Sequence, residues 1–339
     1  MGVDIVSIVE ANQATLEDFS GKIIAIDGYN TLYQFLAIIR QPDGTLLMDK
    51  QGRVTSHLSG LFYRTANFLE IGIKPIFVFD GEPYPQKMRT IEGRVAAKEK
   101  AMEEWKKALE EGDLEMAKSK AQQTSHLTKE MVSQAKRLLG YMGIPWIDAP
   151  RDGEAQASYI VQRGDANYSA SQDFDSLLFG SPALVRNLAI SGKRKLPRKK
   201  EFVDIKPEII LLNDVLQKNG ITREQLIDIG ILVGTDFNEG VKGIGAKKAL
   251  KLIKEYGTIE KVIEVKKIDV PGYEDARKIF LQPDIVNNYN LKWSLPDTEK
   301  IIEMLCEEFE FSEDRVRKAL SFVAARKAMC MQTSLDQFF

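Results

Sequence analysis

Two stretches of the chain repeat one pattern of apolar and polar positions: IIAIDG at residues 23–28 and IFVFDG at residues 76–81. Each is a run of strand-forming apolar residues that ends in Asp-Gly, as a buried strand followed by a turn would. Between them, YNTLYQFLAIIR sets Leu32, Phe35, Leu36 and Ile39 at helical spacing on one face, and HLSGLFYRTANFLEIGI predicts a second helix. The alternation resumes downstream. GIPWIDAP reads as a strand, EAQASYIVQRG as a helix, and ANYSAS and ALVRNL as strands. Strands that alternate with helices predict an α/β fold with a mainly parallel central sheet flanked by helices.

Three segments depart from this alternation. Residues 84–137 are long, polar and helix-forming, and residues 87–137 hold 12 Lys or Arg against nine Asp or Glu. Composition alone makes this a solvated helical hairpin. Residues 193–201, KRKLPRKKE, carry six basic residues in nine, which suits a nuclear-import signal or a basic hairpin at a phosphate backbone. Residues 222–256 read as helix, glycine-rich turn (TDFNEGVKGIG) and helix, with Thr222 as N-cap of the first. Such a unit offers backbone N–H groups and a helix N-terminus to phosphate. Residues 299–328 look helical, and periodicity is lost after Lys327.

Composition narrows the chemistry. The 339 residues suffice for one large domain or two ordinary ones, and 44% apolar with 28% charged residues describes a soluble globular protein. The formal net charge of −2 does not announce a nucleic-acid binder, so such a role rests on local patches. Cys306 and Cys330 have no metal-ligand spacing, which argues against a disulfide scaffold or a zinc site and fits a reducing compartment. His57 and His126 are too few for a histidine-ligated metal. No run approaches the ~20 apolar residues that span a bilayer, and the start, MGVDIVSIVE, lacks the basic and apolar regions of a signal peptide.

The acids carry the strongest signal. Asp27 and Asp80 end the twin strands, APRDGEAQ places Asp152 and Glu154 after the third, and SQDFDSLL places Asp173 and Asp175 after the fourth. Asp236 stands at the mouth of the glycine-rich turn. In an open parallel sheet, ligands bind at the carboxyl ends of the strands, so the fold would gather these acids. Two like charges 4 Å apart repel by about 4 kcal/mol at an effective dielectric of ~20. Six or seven carboxylates therefore call for cations, and an oxygen-only donor set favours Mg²⁺ or Mn²⁺. A pair of such ions handles phosphodiesters. Taken singly, each acid is as well explained as a helix N-cap or a turn residue. A haloacid-dehalogenase-like phosphatase would need Asp-x-Asp, but Asp27 is followed by Gly28 and Tyr29, and Asp80 by Gly81 and Glu82.

AIDGYNTLYQFL, SHLSGLFYRT, KPIFVFDGEPY, APRDGEAQASY, SQDFDSLLFG, GILVGTDFNEGVKGIGAKKAL and the terminal QTSLDQFF, in that order, resemble the flap endonucleases of the XPG structure-specific 5′-nuclease family, in their archaeal form. The resemblance covers essentially the whole chain. It implies one nuclease domain over 1–330, made of an N-terminal half (1–83), a helical gateway and cap (84–137), an internal half (138–260) containing a helix-two-turn-helix (222–256), and C-terminal helices (261–330). It implies metal ligation by Asp27, Asp80, Asp152, Glu154, Asp173, Asp175 and Asp236. Where the family usually has Glu, this chain has Asp152, one methylene shorter, which leaves direct and water-mediated ligation open.

The resemblance further implies that Lys87 and Arg94, seven residues apart on one helix face, contact the scissile phosphate. With Asp27, Asp80, Glu154 and Asp173 they form the expected catalytic set. Tyr33 would stack on the base beside the cut. Arg40, Arg64, Gly234, Lys247 and Lys248, with Asp152 and Asp236, would face DNA, and backbone carbonyls of Gly240, Val241 and Ile244 would hold K⁺. Gly2 matches a residue close to the active site. The tail 331–339 resembles a sliding-clamp (PCNA) binding peptide, with Gln332, Leu335, Phe338 and Phe339 as its anchors.

The expected activity is cleavage of one phosphodiester near the single-strand/double-strand junction of a 5′ flap, with 5′–3′ exonuclease activity, by two Mg²⁺ ions that Mn²⁺ can replace. Okazaki-fragment maturation and repair are the expected settings. A monomer is expected, in the cytoplasm of a prokaryote or the nucleus of a eukaryote. The alternatives are a same-fold exonuclease or bubble-cutting repair nuclease, and a catalytically silent junction-binding adaptor for the clamp.

Overall fold

The computed structural model describes residues 2–190, 192–195 and 202–323. The anchors of the terminal peptide, Gln332, Leu335, Phe338 and Phe339, lie outside the described residues. The strands are β1 (Asn12–Gln13), β2 (Ile23–Asp27), β3 (Lys74–Phe79), β4 (Trp146–Asp148), β5 (Tyr168–Ala170), β6 (Ala183–Arg186), β7 (Gly192–Lys195), β8 (Phe202–Ile205) and β9 (Glu208–Leu211). The helices are α1 (Gly28–Ile38), α2 (Ser56–Ile71), α3 (Met88–Glu110), α4 (Leu114–Ala121), α5 (Lys129–Tyr141), α6 (Gly153–Gln162), α7 (Asp175–Leu178), α8 (Leu212–Asn219), α9 (Arg223–Val233), α10 (Ala246–Tyr256), α11 (Ile259–Lys266), α12 (Tyr273–Leu281) and α13 (Thr298–Ile302). A further helix spans 313–323.

Seven strands form one sheet in the order β1-β9-β6-β5-β2-β3-β4. The five strands β6, β5, β2, β3 and β4 run parallel, and β9 and β1 add an antiparallel edge. The expected mainly parallel sheet is present, with an antiparallel edge that the sequence pattern did not announce. Strand parity explains why both twin motifs are continuously apolar. Ile24, Ile26, Phe77 and Phe79 face a core shared with α1, α2, α5 and α13, whereas Ala25, Ile76 and Val78 face a second core with α6. Strands buried on both faces need apolar residues at every position.

The chain runs from β2 outward through β3 to β4, then returns across the sheet to β5 and β6. The direction therefore reverses between β2 and β5, the topological switch point where such sheets bind ligands. A third core packs α9, α10 and α12 against the N-terminal Val3 and Ile5 and against Leu177 and Leu178 of α7. It locks the helix-two-turn-helix onto the strand ends. Thr222 caps α9 as expected, in a reciprocal capping box with Gln225.

Three local expectations change. The first Asp-Gly is no turn, because β2 ends at Asp27 and α1 starts at Gly28, with Asp27 as its N-cap. The twin motifs are also offset in the sheet, with Asp27 opposite Val78 rather than Asp80. In the polar insertion, α3 and α4 bury mainly alanines (Ala101, Ala108, Ala117, Ala121). α5 is different: Val132, Ala135, Leu138 and Leu139 enter the main core. Residues 129–137 are thus part of the body, and the segment with little burial is the preceding pair of helices. β7, which holds Lys193, Arg194 and Lys195 of the basic run, pairs antiparallel with β8, which favours the hairpin reading.

α1 and α2 cross closely at Gly60, where a β-carbon would collide with the buried ring of Phe35. Alanine is worth up to ~1 kcal/mol more than glycine inside a helix, but overpacking costs about 1–3 kcal/mol. Gly60→Ala should therefore destabilise the protein by about 1–2 kcal/mol in urea unfolding. A stabilised variant would show that the crossing can open.

Candidate active site

Each strand end delivers an acid by a local device. Asp27 accepts a bond from Asn30 N at 2.9 Å as it caps α1. Asp80 follows β3, and its Oδ1 accepts from Gly153 N at 2.6 Å. A β-carbon at 153 would lie 2.7 Å from that oxygen, so only glycine permits the approach. Asp152 caps α6, with Oδ1 accepting from Glu154 N at 3.0 Å and Ala155 N at 3.2 Å. Glu154 lies in the first turn of the same helix, and its Oε1 accepts from Ser176 Oγ at 3.5 Å. Asp173 N donates to Ser171 Oγ at 3.2 Å, and Arg186 Nε donates to Gln172 O at 3.0 Å, which fixes the loop after β5. Asp175 opens α7 and accepts from Val3 N at 2.7 Å, bringing Gly2 against its carboxylate. Asp236 arrives from the loop between α9 and α10.

The seven acids form one electrostatic unit. Burial, then the Asp80 charge, raises the Asp27 carboxyl well above its ordinary value. Burial and Asp152 push Asp80 up to about 6, against the pull of Lys87. Glu154 is raised well above its usual range by burial, then by Asp175, Asp173 and Asp27. Burial and Asp236 push Asp175 up to about 7. Such shifts mark a site short of positive charge.

Two cations from the base of the insertion answer part of that deficit. Lys87, in a single 3₁₀ turn before α3, places Nζ 2.9 Å from Asp152 Oδ2 and 3.6 Å from Asp236 Oδ2. Arg94, two turns on, reaches Asp236 Oδ1 at 2.5 Å. Burial would lower the Lys87 ammonium, but Asp152, Asp80 and Asp236 outweigh it and raise it well above its ordinary value. Among the described residues, no three acidic, His or Cys side chains are yet close enough to grip one ion. The donor set nonetheless suits a hard divalent cation, being all carboxylate, largely buried and mutually repelling.

Other expected contacts are placed unevenly. Tyr33 is half-buried on α1 with Lys98 Nζ 4.6 Å from its ring centre. Arg40 is committed to the protein, donating to Leu36 O and Gly44 O at 2.8 Å and to Ser125 Oγ at 3.1 Å. Arg64 is half-buried on α2. Gly234 ends α9 at φ 109°, and Arg89, Thr90, Glu239 and Gly240 share an open groove with it. Lys247 and Lys248 are exposed at the start of α10, whose N-cap Gly245 supplies no side-chain bond. Val241 N donates to Leu232 O, and its own carbonyl accepts from Ile244 N, so the turn closes on α9. Gly240 lies in the left-handed region at φ 68°.

Sequence reasoning missed Lys98, Thr90, Asn30 and Gln34. Lys98 follows Arg94 by four residues and shares its face of α3. Thr90 Oγ1 donates to Asp236 O at 3.0 Å. Asn30 Nδ2 lies 3.4 Å from Asp173 Oδ2.

The XPG N-terminal domain model matches residues 1–101, and the XPG I-region model matches residues 143–236. Flap endonuclease 1 of Archaeoglobus fulgidus is 54% identical over 339 residues, 100% of each chain. The chain belongs to the flap endonuclease 1 family. Flap endonuclease 1 of Thermofilum pendens is 55% identical over 345 residues, 100% of this chain and 99% of that one. The solved flap endonuclease-1 from Methanococcus jannaschii superposes with a TM-score of 0.75 at 43% identity, over 96% of this chain and 99% of that chain. The Rad2 catalytic core solved with DNA substrate has the same fold at 21% identity, with a TM-score of 0.71 over 95% of this chain and 100% of that chain.

The raised carboxyls make a prediction about stability. Their folded-state values exceed the unfolded ones, so their stabilising contribution is full below about pH 4 and is lost as pH rises through 6 and 7. His57 acts in the opposite sense: burial lowers it to about 4, so its contribution is complete above its unfolded value of 6.5 and sets no slope there. Between pH 6.5 and 8 in a chelator, the melting temperature should therefore fall, by the equivalent of about 1–3 kcal/mol. Asp175→Asn should flatten that slope, and an unchanged slope in the variant would remove Asp175 as its source.

Proposed function

We propose that this protein is a metal-dependent, structure-specific 5′-flap endonuclease with 5′–3′ exonuclease activity, serving Okazaki-fragment maturation and repair. The observation that carries the proposal is the convergence of seven acids at the switch point, with Lys87 and Arg94 bound onto them from the insertion base. Full-length identity near 54% to flap endonuclease 1 supports it.

Asp27, Asp80, Asp152, Glu154, Asp173, Asp175 and Asp236 would hold two Mg²⁺ ions, with Mn²⁺ as a substitute. Bound there, such ions supply a water nucleophile at neutral pH and charge for the leaving oxygen. Lys87 and Arg94 bring positive charge to the mouth of the site. A phosphodiester entering there can take the place of Asp152 and Asp236 as their partner, and both cations then stabilise charge developing on phosphate. Tyr33 would stack on the base beside the cut. Lys247, Lys248 and the free amides starting α10 suit duplex phosphates, with Arg40, Arg64 and Gly234 as further DNA contacts. K⁺ would sit on the carbonyls of Gly240, Val241 and Ile244.

Gln332, Leu335, Phe338 and Phe339 would bind a sliding clamp as a hydrophobic plug. We take the enzyme as a monomer acting wherever chromosomal DNA lies, the cytoplasm in a cell without a nucleus. No helix among the described residues is long and apolar enough to cross a membrane.

The test is Mg²⁺-dependent cutting of a labelled 5′-flap duplex. Cutting confined to blunt or bubble substrates would favour the same-fold alternatives, and binding without cutting in Mg²⁺ or Mn²⁺ would favour the silent adaptor. Asp173→Asn should reduce cutting by at least ~10²–10³-fold with flap affinity, measured in Ca²⁺, within a few-fold. Equal collapse of binding would make the acids structural. Deleting residues 332–339 should abolish stimulation by the clamp and spare basal cleavage; stimulation that persists would refute the tail assignment.

A further inference from the structure

The first turns of α1 hold two amide side chains that the expected site does not use. Asn30 and Gln34 are four residues apart, on one face of a helix that starts directly from β2. Asn30 makes contact with two acids at once. Its backbone N donates to Asp27 Oδ1 at 2.9 Å, and its side-chain Nδ2 donates to Asp173 Oδ2 at 3.4 Å. Asp27 ends β2 and Asp173 follows β5, so one residue ties the two strands' acids together across the switch point.

The direction of each amide follows from chemistry. An ionised carboxylate only accepts hydrogen bonds, so Asn30 must turn its NH₂ toward Asp173. Its oxygen then faces Gln34, which must in turn present its own NH₂, and Gln34 Nε2 does donate to Asn30 Oδ1. The remaining atom, Gln34 Oε1, is left facing inward, buried and without a protein partner. Gln34 also lines a cavity with Thr31, Ser171 and Leu188 that offers about 10 Å³ to the centre of a water-sized sphere. That is room for one water, which would donate to Oε1 and complete the chain. An orphaned buried acceptor is costly, and here it is the consequence of a polarity dictated from the other end.

We infer that Asn30 and Gln34 are positioning residues that fix the carboxylate of Asp173, and its spacing from Asp27, for cation binding. The inference rests on the acids serving as proposed above. Asn30 touches neither DNA nor cation in this role. It removes the rotational freedom of Asp173, while Ser171 and Arg186 hold the backbone of the same loop. Gln34 acts one step further out, by keeping the Asn30 amide from flipping.

Three variants of the full chain test it: Asn30→Leu, Gln34→Met and Gln34→Glu. Leucine keeps the branched shape of asparagine, with more bulk, and removes the donor. Glutamate at 34 reverses the polarity, because it accepts only and draws the Asn30 NH₂ away from Asp173. Methionine removes the link without reversing it. The readouts are Mn²⁺ affinity by calorimetry without DNA, single-turnover flap cleavage, flap affinity in Ca²⁺, and unfolding in a chelator. Asn30→Leu and Gln34→Glu should each weaken Mn²⁺ binding and slow single turnover about fivefold to tenfold, with flap affinity within twofold. Gln34→Met should fall between them and the parent.

The pairing of Gln34→Glu with Gln34→Met separates positioning from packing, since the two change the same contact and only one reverses it. Mn²⁺ affinity and single-turnover rate that stay at the parent value while stability drops would overturn the inference. If Asn30→Leu fails to fold, equal Mn²⁺ affinity in the two Gln34 variants overturns it as well. A parent chain that binds Mn²⁺ but leaves flap DNA uncut would sink the proposed function instead, and the calorimetric comparison would still judge the relay.

Discussion

Asp27, Asp152, Glu154, Asp175 and Asp236 are each less than a tenth exposed and act on one another electrostatically. Left to themselves, these charges would spread apart or take up protons. The fold prevents the first and favours the second. Two apolar cores clamp β2 and β3 from opposite faces, so Asp27 and Asp80 cannot retreat along the strands. The third core pins α7 and the loop carrying Asp236 from the side. The architecture thus stores repulsion at one spot, and what relieves it is positive charge.

The relief within the chain comes from the insertion. Lys87, Thr90 and Arg94 all contact Asp236, and Arg89 pairs with Glu239 at 2.6 Å in the same loop. The base of α3 is therefore fastened to the helix-two-turn-helix through the acid cluster itself. The exposed Arg89 pair contributes little, whereas Lys87 is half-buried, held by the charges of three acids, and cannot leave without a substitute. Beyond this base, α3 and α4 bury little but alanine against each other. The position of the insertion and the charge of the site are in this way one problem.

Much of this was legible in the sequence because apolar runs and acids share a fixed register with strand ends. The twin motifs set Asp27 and Asp80 at strand ends, where β2 and β3 have them, and the Thr222 cap followed from its spacing. Capping and membership of the acid cluster are not alternatives: Asp27 and Asp152 cap helices and also belong to the cluster. Capping is how the chain aims them. The misread Asp27-Gly28 has the same origin, since Asp-Gly serves a turn and a helix start equally well. α5 reads as part of the polar insertion because Lys129, Glu130, Lys136 and Arg137 mark its outer face, and its four core positions count for little in an average. Asn30 and Gln34 stayed invisible for another reason. Their role depends on which way an amide points, and only the distant Asp173 decides that. Backbone carbonyls such as those of Gly240 and Val241 are likewise unspecified by side chains.

Asp152 shows how one methylene redistributes these duties. A short acid at an N-cap can bend its carboxylate back onto the first helical amides, and Oδ1 does so toward Glu154 N and Ala155 N. That geometry turns Oδ2 outward, where Lys87 meets it at 2.9 Å. Both oxygens are then engaged, one by the helix and one by the insertion. A glutamate at the same position would carry its carboxylate past the cap and deeper into the cluster. The shorter side chain therefore ties α6, Lys87 and the acid cluster through a single residue.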